Sequence, residues 1–419
     1  NVVILGGGFG GVRTALNLNR KLKNNKNVRL TLIDKLDAQT FQPALYEVAS
    51  VYGVNHEHPY HTKLRGTICL PYCEIFKGTA VNFIQAEVNQ IDSAGKFIST
   101  TSGQIIDFDY LVIALGAVVS TFGVPGVQEY AFKFKSIEDG LMLADKLEEL
   151  FTEKNREGNG LPLRIIVGGA GFTGVELAAE LATCSVHIAR RTGINHRHCA
   201  KITLLEAGPM ILPMVSNRER KLIRARLNSL GVDILESSPI VNVGPNFIDL
   251  KDNSKMGADL IIWSAGVKAL DLFKSVDGLA LDERDRIMVD LTLQIKNFKN
   301  IFAVGDAVFF VNPENNQPVP QMAIVAMEQG RVVAENIAEL IQHGESINGL
   351  KKYIPKYGDW VTPVGGKYAV AHIGGWTISG FLGYVLRQAI DIRYLLGTLP
   401  FFKALGLFLS NIKVFSTND

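Results

Sequence analysis

Cysteine is scarce: the chain has four in 419 residues, Cys69, Cys73, Cys184 and Cys199. That is too few to staple a chain of this length, and no two have the gap of a thioredoxin-like redox pair. A reducing compartment follows as the default. A dominant charge is lacking too, with 43 Lys+Arg against 41 Asp+Glu and a net charge of +2, so nothing marks a nucleic-acid binder. Long apolar runs are also missing: no run of uncharged apolar residues reaches the ~18 of a spanning helix. No signal peptide stands before the opening strand, and a start at Asn1 implies a short leader trimmed or left out. The histidine clusters His56, His58, His61 and His196, His198, Cys199 lack a full ligand set, so no metal is expected and solvated loops explain them.

What is present is a folded chain: 47% hydrophobic, 20% charged, with 40 glycines, long enough for two or three domains of roughly 150 residues. The opening "VVILGGGFGGVRTAL" is an apolar strand, then Gly6, Gly8 and Gly11, then a helical pattern. In a dinucleotide fold the first glycine allows the turn, the second lets a pyrophosphate reach the backbone, and the third lets helix and strand pack closely. Free N–H groups at the helix start then face the phosphates. A second strand, "RLTLID", ends at Asp34, where a ribose-binding acid belongs. The same device recurs in "LRIIVGGAGFTGVELAAEL", with Gly169, Gly171 and Gly174, followed by "KITLLEAG" and Glu206. The extra length before Glu206 is the polar stretch "HIARRTGINHRHCAK", expected as a longer helix and loop. Two such folds imply two nucleotides, and the natural pair is a bound flavin and a diffusing nicotinamide.

Two further strands, "DYLVIALGAVVSTFGVPG" and "NIFAVGDAVFF", end in Ala114–Gly116 and in Gly305–Asp306. Both segments are typical of two-dinucleotide-binding flavoproteins, and Asp306 at a strand's carboxyl end can accept hydrogen bonds from ribityl hydroxyls. The first loop is therefore read as the FAD loop and the second as an inserted NADH domain. Glu206 would bond an adenosine ribose and repel a 2′-phosphate, favouring NADH over NADPH.

With "FQPALYEVAS", "GGAGFTGVELAAEL", "LLEAGPMILP", "WSAGV", "AVGDA" and "GGWTISGF", the chain resembles the type II NADH dehydrogenases, single-chain NADH:quinone oxidoreductases that do not pump protons. The resemblance runs from Val2 to about Leu409. It implies an α/β fold with two Rossmann-like domains. The FAD domain takes 1–118 and 268–342, the NADH domain 119–267, and a membrane-associating region 343–419. FAD contacts are implied at Gly6, Gly8, Phe9, Gly10, Gly11, Asp34, Lys35, Gln42, Pro43, Ala114, Gly116, Gly305, Asp306 and Ala323. NADH contacts are implied at Gly169, Gly171, Phe172, Thr173, Gly174, Glu176, Glu206, Ala265 and Gly266. Quinone contacts fall at Ala323, Ile324, Met327, Gln329 and Lys367, and Glu176 and Gln42 are the residues assigned to catalysis.

In that family the loop matching Thr40–Ser50 passes beside the flavin ring. Pro43 would stiffen it, while Phe41, Leu45 and Tyr46 would form an apolar wall that excludes water; ordinary burial would also account for these aromatics. Glu176 is read in the first turn of the second dinucleotide helix, as a positioning or proton-relay residue, although the helix dipole alone would suit an acid there. In "VPQMAIVAMEQGRVVAENI", Gly330 is read as beginning a helical pattern. A family glutamine beside the quinone is replaced by Ile324, with Gln321 a possible substitute.

The last 80 residues are aromatic and Leu-rich. At helical spacing Phe401, Phe402, Leu405, Phe408, Leu409 and Ile412 share one face, with Lys403 and Lys413 at its edges. Between Ile373 and Phe415 four basic residues stand against one Asp, giving +3. An apolar stripe with basic flanks reads as an in-plane helix on an anionic membrane; packing on the protein or on a homodimer partner is the bland alternative. The expected place is the cytoplasmic face of a bacterial inner membrane, or a mitochondrial inner membrane if a leader was removed. The competing activities are a sulfide:quinone oxidoreductase, which wants cysteines poised at the flavin, another NAD(P)H-dependent flavoprotein reductase acting on a protein disulfide or small redox protein, whose disulfide version wants a close Cys pair, and a nucleotide sensor that turns over poorly.

Overall fold

The computed structural model describes residues 1–50, 59–157, 162–192, 199–344, 349–356 and 358–415. The calls on His56, His58, His196 and His198 lie outside them. The chain divides into two compact units, one of Asn1–Gln39, Leu70–Val118 and Val267–Tyr357, the other of Thr40–Cys69, Val119–Gly266 and Gly358–Asp419.

The first unit is built on a five-stranded parallel sheet in the order Ile301–Ala303, Tyr110–Ile113, Val2–Leu5, Leu30–Asp34, Val81–Gln85. Its central strand, VVIL, is buried along its length, as a strand covered on both faces must be. From that strand the chain winds first to one side and later to the other. Strand order therefore reverses at the carboxyl end of Val2–Leu5, the place where open α/β sheets bind ligands.

The helix Phe9–Lys21 follows this strand and packs on the helix Ala323–His343. The crossing is made by glycines. A Cβ on Gly330 would come within 2.5 Å of the Gly10 carbonyl oxygen, and the Thr14 hydroxyl sits between the two, donating to Gly10 at 2.8 Å. Gly330 thus lies inside its helix rather than beginning it; the helix starts at Ala323. The sequence reading took a glycine needed for a close crossing as a boundary.

The second unit repeats the plan. Its parallel sheet runs Phe132–Lys133, Leu260–Trp263, Leu163–Gly168, Ala200–Leu205, Val232–Leu235, and Leu163–Gly168 leads into the helix Phe172–Thr192. Ile166, Leu205, Ile248, Ile261 and Trp263 form one buried cluster of its core. The buried Trp263 indole N–H finds its acceptor in the Ser120 carbonyl at 2.7 Å, as a buried indole requires.

The stretch expected as a proline-broken loop is helical. Gln42–Ala44 is a 3-10 turn and Leu45–Ala49 an α-helix. Pro43 is tolerated because the first-turn amides of a helix have no partner to lose. Phe41, Leu45 and Tyr46 are all buried.

The C-terminal part of this unit is a three-stranded antiparallel sheet, Trp360–Pro363, Ala369–Ile373 and Trp376–Gly380, followed by helices Phe381–Leu396 and Phe401–Phe415. The hairpin turn uses Gly374 and Gly375, both at positive φ (58° and 84°), which a type I′ turn demands. On the last helix Phe401, Phe402, Leu405, Leu409 and Ile412 are exposed, Phe402 at 85%. No helix among the described residues is long and apolar enough to cross a membrane.

Candidate functional site

The first glycine loop is shaped by close contacts that leave one side open. Gly6 has φ +96°, and a Cβ there would fall 2.4 Å from the Ala114 carbonyl oxygen. A Cβ on Gly11 would lie 1.9 Å from the Gly6 carbonyl oxygen, and one on Gly7 2.0 Å from the Tyr72 hydroxyl. Gly8 differs: nothing lies within 4 Å of its Cβ position, and it is the N-cap of the helix Phe9–Lys21. Backbone amides at a helix start, beside open space, are what an anionic pyrophosphate needs. Phe9 is half-buried and Gly10 buried.

Asp34 closes this loop. One carboxylate oxygen accepts the Gly7 N–H at 2.6 Å and the other the Leu36 N–H at 2.8 Å. Burial pushes the Asp34 pKa up, opposed by the Gly7 and Leu36 amides, the Tyr72 hydroxyl and the charge of exposed Lys35. Tyr72, which the sequence reading missed, is fully buried and donates to the Gly7 carbonyl at 3.0 Å. A tyrosine in an unremarkable segment carried no signal of this.

The second loop repeats the first almost atom for atom. Gly169 has φ +104°, and its Cβ would meet Ala265 Cα at 2.6 Å; a Cβ on Gly174 would lie 1.9 Å from the Gly169 carbonyl oxygen; Gly171 has open space. Glu206 accepts the Ala170 N–H at 3.0 Å and the Gly208 N–H at 2.8 Å. Ser264 donates to the Gly169 carbonyl at 3.0 Å, fixing the turn that carries Ala265 and Gly266. Thr173 is exposed, while Phe172 packs against Trp360, ring centroids 5.6 Å apart.

In the first unit, Gly305 (φ +80°) and Asp306 form a 3-10 turn after the strand Ile301–Ala303. Two glutamines hold it. The buried Gln329 accepts the Gly305 N–H at 2.7 Å, and Gln321 donates to the Asp306 carbonyl at 2.7 Å. Ala323 and Ile324 are the first two residues of their helix, where amides lack intrahelical acceptors, and Ile324 is 39% exposed. Met327 Sδ lies 3.8 Å from an Arg13 guanidinium nitrogen. Ala114 is buried, and Gly116 takes φ +69°.

In the second unit, exposed Gln42 donates to the Lys135 carbonyl at 3.3 Å, and Lys367 is exposed. Glu176 stands past the first turn of the helix Phe172–Thr192, which holds no acid, so the helix dipole does not explain it. Its side chain keeps some exposed surface, yet protein crowds its carboxyl. That burial pushes its pKa up to about 8, opposed by the Arg387 cation and reinforced by Glu47. Arg387 is buried, ion-paired with Asp391, and donates to the Pro43 carbonyl at 2.8 Å. Arg387, Glu47 and the buried Glu180 are further residues that no motif pointed to.

Two glycine loops with paired acids, each at the switch point of its own parallel sheet, mark a two-dinucleotide oxidoreductase. The chain belongs to the pyridine nucleotide-disulphide oxidoreductase family, whose pattern matches residues 1–330, and within it to the type II NADH:quinone oxidoreductases. The type II NADH:quinone oxidoreductase of Staphylococcus aureus (strain NCTC 8325 / PS 47) is 32% identical over 398 residues, covering 94% of each chain. Among solved structures, NDH2 from Plasmodium falciparum in complex with NADH superposes with a TM-score of 0.82 at 19% identity, over 98% of this chain and 97% of that one. The sulfide:quinone oxidoreductase of Aquifex aeolicus shares the fold with a TM-score of 0.76 at 20% identity, over 98% and 92%.

Proposed function

We propose that the protein oxidises NADH and reduces a membrane quinone by two electrons through non-covalently held FAD, without pumping protons. The observation that carries this is the duplicated loop: at Gly8 and again at Gly171 nothing lies within 4 Å of the Cβ position beside a helix start, with Asp34 and Glu206 in matching positions. FAD is assigned to residues 1–118 and 268–342, NADH to 119–267, and membrane contact to 343–419.

When bound, FAD supplies the carrier that takes a hydride and releases two electrons. The chain does the rest. The loop amides bind the two pyrophosphates. Gln329 and Gln321 hold the Gly305–Asp306 turn toward ribityl hydroxyls. The amides at Ala323 and Ile324 put the positive end of a helix where negative charge develops. Glu206 selects the free ribose of NADH, and Glu176 holds a proton near neutral pH. The quinone reading stays with Ala323, Ile324 and Met327 of the first unit; Gln329 enters it by fixing the turn. The exposed aromatic face of Phe401–Phe415 would lie on an anionic bilayer, which supports a peripheral protein on the cytoplasmic face of a bacterial inner membrane.

A sulfide:quinone reading shares the fold but finds no support in the buried thiols. Burial raises the pKa of both Cys184 and Cys199, and the Cys184 thiol donates to the Ser50 carbonyl at 2.6 Å, which leaves these two thiols protonated.

The test is anaerobic stopped-flow on purified protein. NADH should bleach the flavin and a quinone should restore its colour; a folded protein that takes up no FAD, or whose reduced flavin ignores quinone, overturns the reading.

A further inference from the structure

Among the described residues, three large apolar side chains stand on a left-handed backbone: Phe122 (φ +50°), Leu212 (φ +46°) and Leu293 (φ +67°). A bulky residue is strained in that region. Leu212 and Leu293 are fully buried, so core packing offsets the strain. Phe122 is 62% exposed. Its ring stays in water while its backbone is strained, so neither packing nor backbone preference accounts for it. Strain held without burial in return points to a functional position.

The segment that carries Phe122 is fastened to the second glycine loop. The Ser120 N–H donates to the Gly266 carbonyl at 3.0 Å, and the Ser120 carbonyl accepts the buried Trp263 indole N–H at 2.7 Å. The Phe122 N–H donates to the Ser120 hydroxyl oxygen at 3.2 Å. The ring lies over the Gly266 backbone: a Cβ on Gly266 would fall 3.1 Å from its edge. Gly266 follows the strand Leu260–Trp263. That strand flanks Leu163–Gly168 on the side opposite Ala200–Leu205, the strand that leads to Glu206. A dinucleotide lies across such a switch point with its adenosine ribose on the acid. Its other half, the second ribose and the nicotinamide, then falls on the Gly266 side.

We propose that Phe122 is a substrate-contacting residue whose exposed ring packs against the nicotinamide half of bound NADH. An aromatic ring held in one place offers the uncharged dihydronicotinamide an apolar, stackable face, and the contact removes water from that side of it. The strained backbone fixes where the ring stands before the substrate arrives, so less ordering is left to the binding step. The assignment rests on the reading of the second glycine loop as the NADH site.

The test uses the full FAD-loaded chain with its flavin reduced beforehand under anaerobic conditions, so that NADH binds without reacting. Calorimetry gives the Kd for NADH and for ADP-ribose, which lacks the nicotinamide, in the wild type and in Phe122→Gly, Phe122→Asn and Phe122→Tyr. The Tm of each protein is measured beside it. Phe122→Gly should weaken NADH about three- to tenfold and leave ADP-ribose at the wild-type Kd. Its Tm should hold or rise, because glycine relieves the left-handed backbone. A side chain with a merely structural role would not lose affinity and keep stability together. Phe122→Tyr retains the ring and should bind NADH as the wild type does. If Phe122→Gly does not fold, Phe122→Asn, which tolerates the same φ, decides by the same readouts. Unchanged NADH affinity, an equal loss for ADP-ribose, or a fall in Tm that accompanies the loss overturns the assignment. A wild type that binds neither ligand overturns the NADH reading of the second loop itself, and the assignment with it.

Discussion

The Asp34 carboxylate accepts the Gly7 amide at 2.6 Å as Glu206 accepts that of Ala170 at 3.0 Å. In each case the second oxygen takes the amide two residues on, Leu36 at 2.8 Å and Gly208 at 2.8 Å. Each acid is therefore both a brace for its phosphate loop and a candidate ribose acceptor. Glu206→Gln keeps the size and loses the charge. The expected result is a drop of roughly tenfold in kcat/KM for NADH, the scale of one charge-assisted hydrogen bond, and a narrower preference over NADPH. Steady-state kinetics with both cofactors check this; equal efficiencies in the wild type would contradict the assignment.

The glycines of the second loop separate folding from binding. A methyl on Gly174 meets the Gly169 carbonyl oxygen at 1.9 Å and the Ser264 hydroxyl at 2.8 Å, whereas one on Gly171 meets nothing. Gly174→Ala should destabilise the protein by about 1–3 kcal/mol, seen as a lowered Tm. Gly171→Ala should change stability by no more than about 0.5 kcal/mol while raising the KM for NADH. A normal KM in Gly171→Ala would mean that the open space is not where the dinucleotide sits.

Glu176 carries a pH signature. Burial raises its folded-state pKa from the model-compound 4.5 to about 8, so the folded protein binds the proton more tightly than the unfolded chain. Its contribution to stability is complete below pH ~4.5 and is lost as pH rises through about 8. Glu176→Gln, which cannot ionise, should remove this decline and stabilise the protein above pH 8 by on the order of a few kcal/mol. Denaturant melts of both proteins at several pH values measure it; parallel stability curves would show that the carboxyl titrates normally.

Ile324 stands at the first turn of its helix, 39% exposed, where the family resemblance expects glutamine. Loss of one hydrogen bond to a quinone carbonyl is worth roughly 0.5–1.5 kcal/mol. Ile324→Gln should therefore alter the quinone KM about two- to tenfold and leave flavin reduction by NADH alone. The opposite pattern would move the quinone contact elsewhere.

Removing the residues after Pro400 deletes the exposed face of Phe401, Phe402, Leu405 and Leu409. The truncated protein should no longer float with anionic liposomes yet should still reduce its FAD with NADH. Unchanged flotation would place the anchor on other exposed apolar residues, such as Trp376, Phe381 and Leu382.

Both glycine loops were legible in the sequence because their constraints are local. Strand, turn, helix and acid follow one another within a few dozen residues, and the third glycine of each loop answers a backbone contact inside the same unit, Gly11 on Gly6 and Gly174 on Gly169. The apolar stripe of the last helix was legible for the same reason, since a face is set by spacing alone. Where two close-range signals competed, the sequence misled. Pro43 suggested a broken loop but occupies a first helical turn, and Gly330 suggested a helix start but serves a helix crossing on Gly10. What only the tertiary structure decided lies between residues far apart in the chain. It set the Tyr72 hydroxyl on the Gly7 carbonyl, Gln329 under the Gly305 amide, and Arg387 against the Pro43 carbonyl, a separation of 344 residues. Such contacts leave no periodic trace, because packing brings them together only once the sheets have formed. The chemistry of Glu176 is of this kind: its proton affinity comes from the protein packed around it and from Arg387 and Glu47, not from its place in the glycine motif.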